Sequence, residues 1–145
     1  MLPFDFSSVP YSWALCFNHD CPLKETCIRH FAGQHLPDDF LLGNSVYPNT
    51  TKNAKCKFFI EKRIIRKAWG FDKLFLNVKY IDYTSLRDNM KYYLGGKTAY
   101  YRYKNGKLTL TPAQQEQILD LFREYGYTEE LTFDHYIDQY DFDGL

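Results

Sequence analysis

Cys16, Cys21, Cys27 and Cys56 are the residues of this 145-residue chain whose type and spacing could do chemistry. Three of them fall within CFNHDCPLKETC in a C-x4-C-x5-C pattern, and the fourth follows after twenty-eight intervening residues in NAKCKFF. Four thiolates can close a tetrahedral zinc shell, with short loops gathering three ligands and a distant fourth fixing the intervening chain to them. The spacing therefore predicts a metal set of Cys16, Cys21, Cys27 and Cys56 that staples a subregion spanning residues 13–56. His19, His30 and His35 lie nearby, so that one of them could replace a cysteine. Pro22, directly after Cys21, is similar to the cysteine-proline turns of iron–sulfur proteins, which makes a cluster the alternative cofactor. The competing reading has no cofactor: thiols buried as small apolar groups around Trp13, Phe17 and Phe31, or two disulfides in one of three pairings.

A closed four-thiolate shell leaves no position for water or substrate, so the expected role is structural, with no catalytic residue assigned. A cysteine-dependent enzyme, with Cys16 beside His19 or Cys27 beside His30 as nucleophile and base, is a further alternative that local spacing supports only weakly. Neither H-E-x-x-H nor a P-loop nor a dinucleotide fingerprint occurs.

The elements that must position these groups are read from periodicity and punctuation. Residues 1–53 carry Pro3, Pro10, Pro22, Pro37 and Pro48, which leave room for only a short helix around Leu23–Phe31. Alternation of Leu74, Leu76, Val78 and Tyr80 predicts a strand. A helix capped by Thr84 follows, with Leu86, Met90, Tyr93 and Leu94 inward and Gly95-Gly96 at its end. Asn105-Gly106 inside AYYRYKNGKLTL predicts a two-residue hairpin turn. Thr111, Pro112 and Gln114 form a capping-box signature before the stripe Ile118, Leu121, Phe122 and Tyr125, which Gly126 stops. Thr132 could cap a second short helix running to Tyr140. Together these predict one α+β domain over residues 1–145, with an irregular cysteine-rich N-terminal region, a β-hairpin and C-terminal helices.

A net charge of zero conceals strong sorting: residues 1–51 sum to −3, residues 52–107 to +11 and residues 108–145 to −8. The basic middle either folds against the acidic end, where Asp141 and Asp143 are candidates for pairing, or meets phosphate. In the second case Lys62, Arg63, Arg66, Lys67, Arg102, Lys104 and Lys107 would form a nucleic-acid face, with exposed aromatic rings stacking on bases. The first option makes an unidentified protein the favoured partner. No run of apolar residues is long enough for a transmembrane helix and no secretory signal opens the chain, so a cytoplasmic protein with reduced cysteines and no membrane partner is expected.

Several motifs in order, LCFNHDCPLKETCIRH, KCKFF, AWGFDKLF, YYRYKNGKLTLTPAQQEQILDLFREYG and TFDHY, cover most of residues 13–136. In them the chain resembles an uncharacterised family of small cysteine-containing proteins from Bacteroides-like bacteria. The resemblance implies the same four cysteines as site candidates and carries no activity. The combined expectation is a zinc-stabilised interaction or regulatory module.

Overall fold

The computed structural model describes residues 2–144. The class is α+β, with a cysteine-rich N-terminal region of very short strands and helices concentrated in the middle and C-terminal parts. The chain divides into two compact units, one built from residues 1–64 with 140–145 and the other from residues 65–139.

In the first unit, β1 (Leu15–Cys16) pairs in parallel with β2 (Ser45–Val46), and β3 (Thr51–Lys52) forms a tight hairpin with β4 (Lys55–Cys56). The hairpin turn uses Asn53 and Ala54, both at positive φ (53° and 59°). The helix α1 (Ile28–Gln34) begins after its N-cap Cys27, later than the stretch around Leu23 predicted, because residues 22–26 are taken up by turns. Ile28, Phe31 and Ala32 bury the i, i+3, i+4 face expected of a short amphipathic helix. Gly33 lets β1 lie against it, since a Cβ there would stand 2.6 Å from the Cys16 carbonyl oxygen. The core of this unit is small: Ile28, Phe31, Tyr140 and Phe142 are buried, and Leu2, Phe4, Val9, Trp13 and Ile60 pack around them. The returning end is pinned by Asp141, which is fully buried. Its Oδ2 accepts from Arg63 Nε at 2.9 Å, and its Oδ1 accepts from the backbone N–H groups of Asp143 and Gly144 at 3.0 Å each. This is the predicted pairing of basic middle with acidic end, made at one buried point.

The second unit holds the larger core, eleven buried residues from Ala68 to Phe133. Its strands β5 (Ile64–Trp69) and β6 (His135–Tyr140) pair, with Ile64 and Tyr140 counted in the first unit. Between them run α2 (Asp72–Phe75), α3 (Tyr80–Leu94), α4 (Lys97–Lys104) and α5 (Pro112–Glu124). The α5 start is as read from the sequence. The Thr111 hydroxyl accepts from the Gln114 N–H at 3.3 Å, while the Gln114 side chain accepts from the Thr111 N–H at 2.9 Å. Leu86, Met90 and Leu94 form the buried stripe of α3, and Gly95 ends that helix in the left-handed region. Tyr93, expected inward, is 40% exposed.

Four local expectations are corrected. The predicted strand at residues 74–80 is α2 and the start of α3, because the Asp134 carboxylate accepts from the N–H groups of Asp72 and Lys73 at 3.0 and 2.8 Å and so caps α2. Consequently α3 starts at Tyr80 and not after Thr84. Its first turn is anchored by the Tyr127 hydroxyl, which accepts from the Lys79 N–H and donates to Asp82. The hairpin placed at Asn105-Gly106 is instead the end of α4, where Gly106 at φ +81° faces the Trp69 ring. Residues 135–140, expected as helix, form β6 because β5 supplies a partner strand.

Candidate metal centre

Four separate segments of the first unit bring the cysteines to one place. Cys16 is carried by β1, Cys21 by a turn in which its N–H donates to the Asn18 carbonyl, Cys27 by the start of α1, and Cys56 by β4. All four line one small cavity of about 20 Å³, together with His30, Arg29 and Thr51. All four are free thiols, Cys21 and Cys27 buried and the other two half-buried. The cavity's framework is fixed by backbone bonds: Ile28 N–H to the Ile60 carbonyl at 2.9 Å and Lys62 N–H to Thr26 at 2.7 Å hold the Cys27 segment, while Thr51 opposite Cys56 registers the hairpin.

Two polar contacts suit thiolate sulfur. The Leu23 N–H donates to Cys21 Sγ at 3.4 Å, and the Thr51 hydroxyl lies 3.7 Å from the same sulfur. Burial pushes the Cys16 thiol up, the Asn18 backbone bond opposes this, and the charges of Cys27, Cys21 and Cys56 push it further up. Mutual repulsion of this kind is what a cation among the sulfurs would relieve. The Arg29 guanidinium is within electrostatic reach of Cys27, Cys56 and Cys16. It is held there by bonds to the carbonyls of Phe58 (2.8 Å) and Ala14 (2.7 Å) and by the Trp13 ring beneath it. Among the described residues, no three Cys, His, Asp or Glu side chains are gathered closely enough to hold a metal ion as they stand. The four thiols thus line one cavity without forming a closed shell.

The histidines separate by role. His30 is buried at the cavity and its Nε2 lies 3.3 Å from His19 Nδ1; burial first, then the neighbouring His19 and Lys24, hold its pKa down. His35 turns away, its Nδ1 bonding the Phe31 carbonyl at 2.8 Å and its ring packing on Phe4 and Phe31. Among the described residues no cysteine sulfur is hydrogen bonded to a histidine, so the geometry of a nucleophile and its base is not formed. Arg29 was missed in the sequence, where one arginine between two candidate ligands gives no signal of its own.

The basic residues named for nucleic acid fall on separate elements of the two units. Lys62 and Arg63 belong to the first unit, Lys62 over the Phe31 ring and Arg63 paired with Asp141. Arg66 and Lys67 are neighbours on β5 and so point to opposite faces, with Arg66 over Tyr136. Arg102 and Lys104 end α4, Lys104 lies 5.9 Å from the Tyr101 ring centre, and Lys107 follows beyond Gly106. Among the described residues no helix is long and apolar enough to cross a membrane.

The order of motifs along the chain extends to a match over residues 2–142 with the model of a family of unknown function, DUF6078. The chain belongs to that family. No curated protein and no solved structure matches it.

Proposed function

We propose that this DUF6078 protein is a zinc-stabilised interaction module, in which Cys16, Cys21, Cys27 and Cys56 close on one ion and the fold so held presents a surface to a protein partner. The observation that carries the reading is that four thiols from four separate segments line one cavity in the unit with the smaller core. A unit whose core cluster has four buried residues, with a long irregular loop, is the kind of small scaffold that a structural metal offsets. Bound zinc would supply stability rather than turnover, with the sulfurs deprotonated by the ion and the N–H of Leu23 supporting Cys21. The interaction role is supported by apolar side chains left in solvent in the same unit, Tyr11, Phe40, Leu41 and Leu42. A cytoplasmic setting in a Bacteroides-like bacterium belongs to the same reading, since reduced thiols suit it and the motif resemblance points there.

The test is elemental analysis of protein purified without added metal, with thiol titration on the same sample. About one zinc per chain and four protected thiols are expected, with Cys27→Ser releasing the metal. Iron with visible charge-transfer absorption would replace zinc by a cluster. A folded, metal-free protein with four reactive thiols would overturn the reading.

A further inference from the structure

A cleft in the first unit, about 840 Å³, has two walls, one from residues 5–15 and one from residues 36–44. It is fixed at its base, where Asn44 Nδ2 donates to the Ser12 carbonyl at 2.7 Å and the Leu15 N–H donates to the Asn44 carbonyl at 3.1 Å. The rings of Phe6 and Phe40 meet across it, 5.4 Å between centres. Its size is that of a formed ligand site, for which roughly 300–1,000 Å³ is usual. The lining combines aromatic rings with two carboxylates, Asp5 and Asp39, and includes no lysine, arginine or histidine. Neither carboxylate is in an ion pair among the described residues. Asp5 accepts from the Ser7 N–H at 2.9 Å, and the Ser7 side chain first, then this N–H, hold its carboxyl below the usual range. Trp13 already takes one guanidinium on its face, that of Arg29 at 4.4 Å from the ring centre.

From this we infer that the cleft binds an arginine or lysine side chain of a partner polypeptide, with apolar residues flanking that cation. Anionic oxygens beside π faces attract a cation and select against an anion. The flanks are indicated by the rim. Tyr11, Leu41 and Leu42 are 100%, 89% and 97% exposed and carry the apolar surface outward beyond what a ligand confined to the cleft would cover. An extended segment with one cation between apolar or proline residues matches both features. The inference rests on the interaction-module reading and names the partner's chemistry.

The experiment titrates ¹⁵N-labelled full-length protein, as purified, with the capped peptide Ac-PLRLP-NH2, its counterpart Ac-PLELP-NH2, and arginine amide. Zinc content is measured on the same sample. Amide shifts from the arginine peptide should concentrate in residues 5–15 and 36–44, and that peptide should bind at least about fivefold more tightly than the glutamate peptide, the scale of a single exposed ion pair. Asp39→Asn should cut that preference to about twofold or less. Should Asp39→Asn lose its dispersed spectrum, raised salt on the wild type takes its place and should shrink the preference in the same way. Equal binding of the two peptides, shifts centred in residues 65–139, no shift at millimolar peptide, or arginine amide binding as tightly as the peptide would each overturn the inference. Bound zinc with no peptide response would sink it while leaving the metal reading intact, and peptide binding by folded zinc-free protein would do the reverse.

Discussion

Removing the exposed member of the Arg63–Asp141 pair should cost more than its exposure suggests. Arg63 is 43% exposed and Asp141 is fully buried, with Nε and Nη2 of Arg63 both 2.9 Å from the same carboxylate oxygen. In Arg63→Ala the carboxylate stays buried with only the N–H groups of Asp143 and Gly144 for company, both 3.0 Å from Oδ1. Leaving a buried charge unpaired costs on the order of 3–5 kcal/mol, and the two remaining bonds hold the effect to about 3 kcal/mol. In Asp141→Ala the guanidinium regains water on its exposed side, and the two orphaned N–H groups belong to exposed residues at the end of the described chain. Charged hydrogen bonds contribute roughly 1.5–3 kcal/mol each in buried settings, and re-solvation brings this loss to about 2 kcal/mol.

The assay is urea unfolding in a Trp69→Phe background, so that Trp13 is the only indole. Trp13 reports on this region because its Nε1 donates to the Phe142 carbonyl at 3.2 Å, one residue from Asp141. The double variant Arg63→Ala with Asp141→Ala should cost less than the sum of the two singles by 1 kcal/mol or more, since neither leaves a charge for the other to abandon. Additive losses, or an Arg63→Ala loss below about 0.5 kcal/mol, the range of a surface substitution, would refute the reasoning.

Gly70→Ala should lower the stability of the second unit by about 2–4 kcal/mol, measured by thermal unfolding, because Gly70 sits at φ +86° and a Cβ would stand 2.6–2.7 Å from the Asp134 side chain that caps α2. Tyr100 is buried, and that burial, with Tyr83 and Tyr101 beside it, pushes its phenol up to about 12 from 10. The stability it contributes is complete below pH 10, where both states are protonated, and is lost as pH rises toward 12, because the unfolded chain ionises first. Relative to Tyr100→Phe, the wild type should therefore lose about 1–3 kcal/mol in urea unfolding between pH 9 and pH 11.5, and a constant difference between the two would count against this account.

What could be read in the sequence was whatever nearby residues decide. The α5 capping box closes over three residues, and Gly95 ends α3 with its own backbone, so both are visible without knowledge of the rest. The misread segments are governed at a distance. Leu74, Leu76, Val78 and Tyr80 alternate as a strand does, but Leu76 and Tyr80 end up 77% and 98% exposed, because a carboxylate about sixty residues away caps α2 instead. Asn105-Gly106 carries hairpin chemistry, but Asn105 closes α4 at φ −97° and only Gly106 takes positive φ. The turn that does place two successive residues at positive φ uses Asn53-Ala54, and alanine advertises no such turn. The cysteines were legible as a set because thiols are chemically distinctive, whereas Arg29 and the acidic aromatic cleft depend on which loops the fold sets side by side.

Charge sorting along the chain invites the expectation that the acidic end neutralises the basic middle broadly, and the described ion pairs argue otherwise. Arg63–Asp141 joins the two, whereas Arg123 pairs with Glu116 and Asp120 on its own helix and Arg87 with its neighbour Asp88. Exposed pairs of that local kind contribute little and order nothing beyond one turn. The buried pair acts differently, because it fixes residues 140–144 into a unit whose core also needs Tyr140 and Phe142. The first unit is therefore held at residues 140–144 by a buried polar contact, the Asp141 carboxylate. The small apolar cluster of Ile28, Phe31, Tyr140 and Phe142 explains its weight: where apolar burial is limited, the chain is ordered by a few strong polar contacts, and each must be fully satisfied to contribute.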